Sequence, residues 1–126
     1  MHKFVLLAGI IFAGLAVGIG AFGAHGLEEL LIANKRVATF ETAVKYHFYH
    51  ALALLFIGLL MYHIPQRLLG TAGVLMVIGI IIFSGSLYIL SLTNMTWLGM
   101  ITPFGGLAFI IAWGLCAWGV YREKSL

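Results

Sequence analysis

The chain has 126 residues, of which 63% are hydrophobic and 9% charged, and its mean hydropathy is +1.10. Soluble domains carry about 25% charged residues, and so short a chain leaves much of its folded surface exposed, so water cannot be the solvent for this much Leu, Ile, Phe and Val. Seven Lys and Arg against four Asp and Glu leave a formal charge of +3, scattered rather than clustered, which excludes a nucleic-acid surface and suits contact with lipid headgroups.

The class that remains is an all-α integral membrane protein of one domain, residues 1–126, with four transmembrane helices in a bundle. Helices are expected because the apolar runs are continuous rather than alternating, and a closed barrel needs about eight strands or more. Crossing about 30 Å of hydrocarbon takes about 20 helical residues. The stretches 4–23, 44–62, 68–92 and 97–121 meet or approach that length.

The first stretch follows Lys3 and resembles a signal peptide, but its length exceeds an apolar region of about 7–15 residues, so it reads as a retained span. Gly14 and Gly18 form a GxxxG step, and Ala16, Gly20 and Ala24 form a second ladder of small residues. Such steps let helix backbones approach closely, either inside the bundle or between copies of the chain. The span closes on GAFGAHGL (20–27), where His25 stands between Ala24 and Gly26.

Residues 27–42 predict an interfacial amphipathic segment. Leu27, Leu30, Leu31, Val37 and Phe40 recur at helical spacing, and Glu28, Glu29, Asn34, Lys35 and Arg36 interrupt them, with a break near 33–35. Thr39 is a weak candidate cap for the next helix. Glu41 and Lys45 stand four apart in the favourable order for a helix.

The second span carries Tyr46, His47, Tyr49 and His50 and stops at Ile64–Pro65, because the residue before proline is pushed out of the α region. The third contains FSGSLY (83–88), which sets Ser84, Ser86 and Tyr88 within one and a half turns. A polar turn, SLTNMT (91–96), leads to the fourth span, where Pro103 marks either a first turn or a kink. Gly105, Ala108, Ala112 and Cys116 form its small ladder, and a lone cysteine allows no intrachain disulfide.

Lys3, Arg67, Arg122 and Lys124 fall on one side of a four-span topology, and Lys35, Arg36 and Lys45 on the other. This asymmetry places both termini in the cytoplasm of a cell-membrane protein.

Candidate chemistry centres on the histidines. His2 and His63 read as interfacial. His25, His47 and His50 adjoin or enter apolar runs, where a histidine faces protein or water and marks a site to examine. A zinc or copper site lacks a His-x-x-x-His pair or a cysteine cluster in support. Haem ligation would need opposed nitrogens from different helices. The preferred reading makes His25 a structural tether, bonded to the Ser84–Ser86–Tyr88 group or packed beside His50. With no acid in mid-span, no nucleophile–base–orienter set and no phosphate loop, neither an enzyme nor a cofactor or metal is expected. Glu41 is the one acid that could serve the rival reading, a small transporter or channel.

GAFGAHGL, FETAVKYHFYHALALLFIGLL, FSGSLYIL and TPFGGLAFIIAW together resemble one family, catalogued as domain of unknown function 423 and similar to the eukaryotic transmembrane-256-like proteins. The resemblance covers essentially the whole chain. It implies a four-helix inner-membrane protein without an established activity, linked in some bacteria to membrane integrity and stress tolerance. The motif residues it points to are Phe22, Gly23, His25, Gly26, Tyr46, His50, Ser84, Ser86, Tyr88, Pro103, Gly105 and Gly106. Expected partners are membrane lipid and a second copy of the chain, with no nucleic acid and no identified protein partner.

Overall fold

A computed structural model describes residues 1–64 and 67–124. Their backbone is helical almost throughout, as hydrocarbon demands of chains whose amides must be satisfied internally. The elements are α1 (His2–His25), α2 (Glu28–Ala33), α3 (Val37–His63), α4 (Arg67–Gly79), a π-helical turn (Ile80–Ser84), α5 (Gly85–Thr93), a 3-10 turn (Thr96–Met100) and α6 (Thr102–Arg122). Four stretches are long and apolar enough to cross a membrane: His2–His25, Val37–His63, Arg67–Thr93 and Thr96–Arg122.

α1 lies chiefly against α3, and α4 against α6, while α3 joins the two pairs through α4, the π turn and α5. The main apolar core lies between them and includes Val5, Leu54, Ile57, Leu69, Met76 and Phe109. A smaller cluster of Ala43, Leu87, Leu90 and Leu98 fills the opposite end.

The close approaches occur where a side chain is missing. A Cβ on Gly9 would strike the backbone and side chain of Leu55, and one on Gly58 would strike Leu6, so α1 and α3 each offer a glycine to the other. Gly105 lies directly on the backbone of Phe83 in the π turn, and Gly79 lies under the ring of Phe109. The α6 ladder of Gly105, Ala108, Ala112 and Cys116 is buried as its spacing implies.

Other small residues lie elsewhere than the bundle-packing expectation put them. Gly14 and Gly18 are exposed, and a methyl group added at either would meet open space, while Gly26 meets only the ring of Phe22 on its own helix. The glycines that hold α1 to α3 are instead Gly9, Gly20 against Val44, and Gly23 against Phe40.

The end of the bundle that carries both polar turns is stitched across them. Asn34 Nδ2 donates to the carbonyls of Ser91 (3.0 Å) and Leu92 (3.3 Å), Arg36 Nε donates to Asn94 Oδ1 (2.8 Å), and Asn94 Nδ2 donates to the Asn34 carbonyl (3.3 Å). Each turn also holds one left-handed residue, Lys35 (φ 56) and Asn94 (φ 58). Asparagine tolerates that conformation better than most side chains.

Between the first two spans, only Glu28–Ala33 forms a separate short helix. The break falls near 33–35 as expected, and residues 37–42 are the opening turns of α3, continuous with the second span. Arg36, not Thr39, stands at the N-cap, and it makes no side-chain cap bond. α3 ends at His63, with Ile64 out of the helical region (φ −122, ψ 89), while Pro65 lies outside the described residues. Pro103 occupies the first turn of α6, where its missing N–H costs nothing.

Replacing Gly105 by Ala should destabilise the protein by about 1–3 kcal/mol, since the added carbon overpacks against backbone that cannot yield. Gly14→Ala adds its methyl in open space and should be neutral or stabilising by up to about 1 kcal/mol through helix propensity. Thermal unfolding in detergent ranks the two, and equal effects would contradict these packing assignments.

Candidate functional site

Two buried histidines open the site. His47 and His50 lie one turn apart on α3, 3% and 6% exposed, and point to different neighbours. An imidazole in hydrocarbon needs partners for both nitrogens, because an unpaired buried polar group costs about 1–3 kcal/mol.

His50 has them. Its Nδ1 donates to the Tyr46 carbonyl at 2.7 Å, one turn back on its own helix. Its Nε2 accepts from the indole Nε1–H of Trp113 on α6 at 3.2 Å. A carbonyl only accepts and an indole N–H only donates, so these two bonds assign the neutral tautomer with its proton on Nδ1. The ring stacks on Phe109, with centroids 3.5 Å apart and planes 10° apart. Phe109 and Trp113 are four residues apart and form one face of α6, which clasps the imidazole.

His47 is held differently. Its Nδ1 is 2.8 Å from the Tyr88 hydroxyl on α5, and its ring meets Phe12 of α1 edge-on at 5.7 Å. Its Nε2 is buried and makes no hydrogen bond of good geometry, although the Phe12 backbone approaches the ring closely enough to interact with it. Tyr88 can give its proton to Nδ1 or accept one from it, so the pair has two arrangements.

The serines complete the seam. Ser84 Oγ donates across helices to the Ala43 carbonyl at 2.8 Å, from the last residue of the π turn. Ser86 Oγ lies 2.6 Å from Thr102 Oγ1 on α6 and also bonds the Phe83 carbonyl at 3.0 Å. The residues from the second and third spans singled out in the sequence, His47, His50, Ser84, Ser86 and Tyr88, therefore share one interior seam.

His25 does not join it. The residue is exposed at the C-terminal end of α1, and its imidazole makes no hydrogen bond among the described residues. The proposed contact with Ser84, Ser86, Tyr88 or His50 fails for a steric reason. Gly23 is the residue of GAFGAHGL that faces inward, and the ring of Phe40 fills the space beside it. Phe40 also packs on Tyr88, with centroids 5.4 Å apart, and so separates the α1 terminus from the seam. His25, two residues beyond Gly23, is rotated about 200° around the helix. Gly20 and Gly23 thus approach FETAVKY, not FSGSLY.

Glu41 also lies outside the seam, exposed on the rim of a groove between α1 and α3. Among the described residues, no group of three or more His, Cys, Asp or Glu side chains is placed to hold a metal ion. Sequence reasoning missed Trp113, Phe109 and Thr102. An indole N–H four residues from a phenylalanine in mid-span was the available signal, since a buried indole seeks an acceptor.

Trp113→Phe removes the donor to His50 while keeping the ring face, and should cost about 0.6 kcal/mol, the average for interhelical hydrogen bonds measured in a membrane protein, and no more than about 1.7 kcal/mol. His25→Ala should change stability by less than about 0.5 kcal/mol, as an exposed substitution does. Unfolding in detergent reads both, and a His25→Ala loss as large as that of Trp113→Phe would restore His25 to the interior.

Comparison with known proteins agrees with this architecture. A family described as a protein of unknown function, DUF423, matches residues 19–106, which include the α1 terminus, all of α3 and the seam's serines. The chain is 52% identical to the UPF0382 membrane protein YwdK of Bacillus subtilis, over 90% of this chain and 91% of that one. It is 49% identical to a UPF0382 membrane protein of Staphylococcus epidermidis, over 90% of each, and 44% identical to UPF0382 membrane protein SSP2132 of Staphylococcus saprophyticus, over 97% of this chain and 99% of the relative. No solved structure matches. With family match and relatives covering most of its length, the chain belongs to the DUF423 family of membrane proteins of unknown function.

Proposed function

We propose that the protein is a non-catalytic component of the cell membrane that supports bilayer integrity through its contacts with lipid, with both termini in the cytoplasm. The observation that carries this reading is the use to which the interior polar atoms are put. Both nitrogens of His50 and the hydroxyls of Ser84, Ser86 and Thr102 are engaged in bonds within or between helices. Groups so engaged cannot polarise a substrate or ligate a haem without first giving up a bond that holds the bundle. The outer surface, by contrast, is broad and apolar, with Phe4, Ile10, Phe56, Met100 and Ile110 among its exposed side chains. The partners of this role are membrane lipid and, through the bare Gly14–Gly18 face, a second copy of the chain.

One observation favours a second reading, conduction of protons or small ions: a buried His47, its Nε2 without a hydrogen bond of good geometry, beside a tyrosine hydroxyl. A protonatable nitrogen with two bonding arrangements is the kind of group that relays use. Vesicles separate the two. Reconstituted protein should slow release of an entrapped dye under osmotic challenge and pass no more protons or ions than protein-free vesicles. A selective flux lost in His47→Phe would overturn the integrity role in favour of conduction.

The orientation follows from Lys3, Arg67, Arg122 and Lys124 at one end, against Lys35, Arg36 and Lys45 at the other. In a Cys116→Ala background, Glu29→Cys should react with a membrane-impermeant thiol reagent added outside intact cells. Lys124→Cys should react only after permeabilisation. The reverse pattern would invert the orientation, and labelling of both from one side would contradict four spans.

A further inference from the structure

The start of α1, the end of α3 and the start of α4 border a groove of about 610 Å³. The described residues that line it include His2, Met61, Arg67, Gly70 and Val74, and no carboxylate is among them. The Arg67 guanidinium is exposed and makes no ion pair or hydrogen bond among the described residues, so it is free to take an anion. His2 is steadied by the ring of Tyr62, with centroids 4.6 Å apart.

Contacts between helices fix the level of each group. A Cβ on Gly70 would lie 3.1 Å from Met1, and one on Gly73 would lie 2.7 Å from Val5, so α1 and α4 run side by side in the same direction. Gly58 against Leu6, and Tyr62 against His2, set α3 antiparallel to both. Arg67 precedes Gly70 by three positions and therefore lies about 4.5 Å outside the level of Met1. Val74 lies about one turn inside it, just past the level of Val5. Hydrocarbon begins between these levels, because residues 4–24, 51–62, 68–93 and 102–121 carry no Asp, Glu, Lys, Arg or His. From outside inward the groove presents a guanidinium, an imidazole, then aliphatic side chains.

Charge is segregated along the bundle in the same sense. Gly119 of α6 packs against Leu68 and Leu69, which brings Arg122, Glu123 and Lys124 to this end with Lys3 and Arg67. At the opposite end Glu28, Glu29 and Glu41 offset Lys35, Arg36 and Lys45, so the whole formal charge of +3 lies at the end with the groove. An anionic phospholipid matches both the order and the sign: phosphodiester, glycerol esters, acyl chains. We propose that this groove binds one anionic phospholipid, whose phosphate takes the paired N–H groups of Arg67. Its ester oxygens face His2, and its first methylenes lie on Met61 and Val74. A zwitterionic lipid would bring a cation of its own to a groove that has no carboxylate to receive it. The volume suits a glycerophosphate group and the start of the chains rather than a whole lipid.

The inference rests on the lipid-contact role proposed above, and binding tests it separately from dye retention. The full-length protein, delipidated in detergent, is titrated by native mass spectrometry with phosphatidylglycerol, phosphatidylethanolamine and phosphatidylcholine of identical chains. Phosphatidylglycerol should bind one per chain, about tenfold tighter than either rival, which corresponds to about 1.4 kcal/mol. Arg67→Gln should abolish that preference and leave thermal unfolding unchanged, since the side chain it replaces is exposed. Lys45→Gln and Lys124→Gln, which leave the groove intact, should keep the preference. Glycerophosphoglycerol, which lacks acyl chains, should bind more weakly by about tenfold or more, because burial of two methylenes is already worth that much. Equal retention of all three lipids, a preference that survives Arg67→Gln, or a loss as large in Lys124→Gln would each overturn the proposal, the last in favour of diffuse attraction. Equal binding of the chainless phosphodiester, or a dimer whose formation excludes lipid, would overturn it too. Lipid preference without dye retention upholds this site and removes the integrity role, and dye retention without preference does the converse.

Discussion

Hydrocarbon offers no hydrogen-bond partners, and the interior of this protein is arranged around that fact. An imidazole placed in the middle of a bilayer must be satisfied by protein, and His50 is satisfied by one bond along its own helix and one across to Trp113. The cross-helix bond ties α3 to α6, the Ser84 bond ties α3 to the third span, and the Ser86–Thr102 contact ties the third span to the fourth. Each bond is worth about 0.6 kcal/mol on average in a membrane. Their larger effect is on specificity, because any other rotation of these helices would leave the same atoms bare in lipid.

Such bonds can form only because the backbones come close. The π turn of the third span places Phe83 against Gly105 and Ser84 within reach of Ala43. Turns of this kind occur often at functional sites, where they redirect side chains that a regular helix would aim elsewhere. Here the redirection has a visible result, a serine hydroxyl donated sideways to another helix instead of back along its own. Ser91 and Thr93, in the regular helix beyond, bond the carbonyls four residues earlier. The seam is thus a joint product of glycine-permitted contact and one local irregularity.

Much of the architecture was legible from residue order. Four continuous apolar runs specify four spans, and Pro103 marks a helix start through its own backbone preference. The burial of His47, His50, Ser84 and Ser86 agrees with their place in apolar runs, where polar groups turn towards protein. Which partner each would find was not legible. His25 stands between Ala24 and Gly26 and invites an inward assignment, yet helical phase turns Gly23 inward and His25 outward. Gly14 and Gly18 show the same limit, since a GxxxG step states that close approach is permitted, not which helix approaches. The π turn has no signature in composition, and without it the Ser84 bond cannot be derived.

The central claim is that His50 is a fixed structural joint rather than an accessible reactive group. Solid-state NMR of the protein in lipid bilayers, with nitrogen-labelled histidine and assignment through His50→Phe, tests it directly. The bonding to the Tyr46 carbonyl and the Trp113 indole requires a neutral ring with its proton on Nδ1 and a proton-free Nε2, correlated through space to the indole nitrogen. A proton found on Nε2, or a ring in rapid exchange with water and without contact to Trp113, would contradict the account.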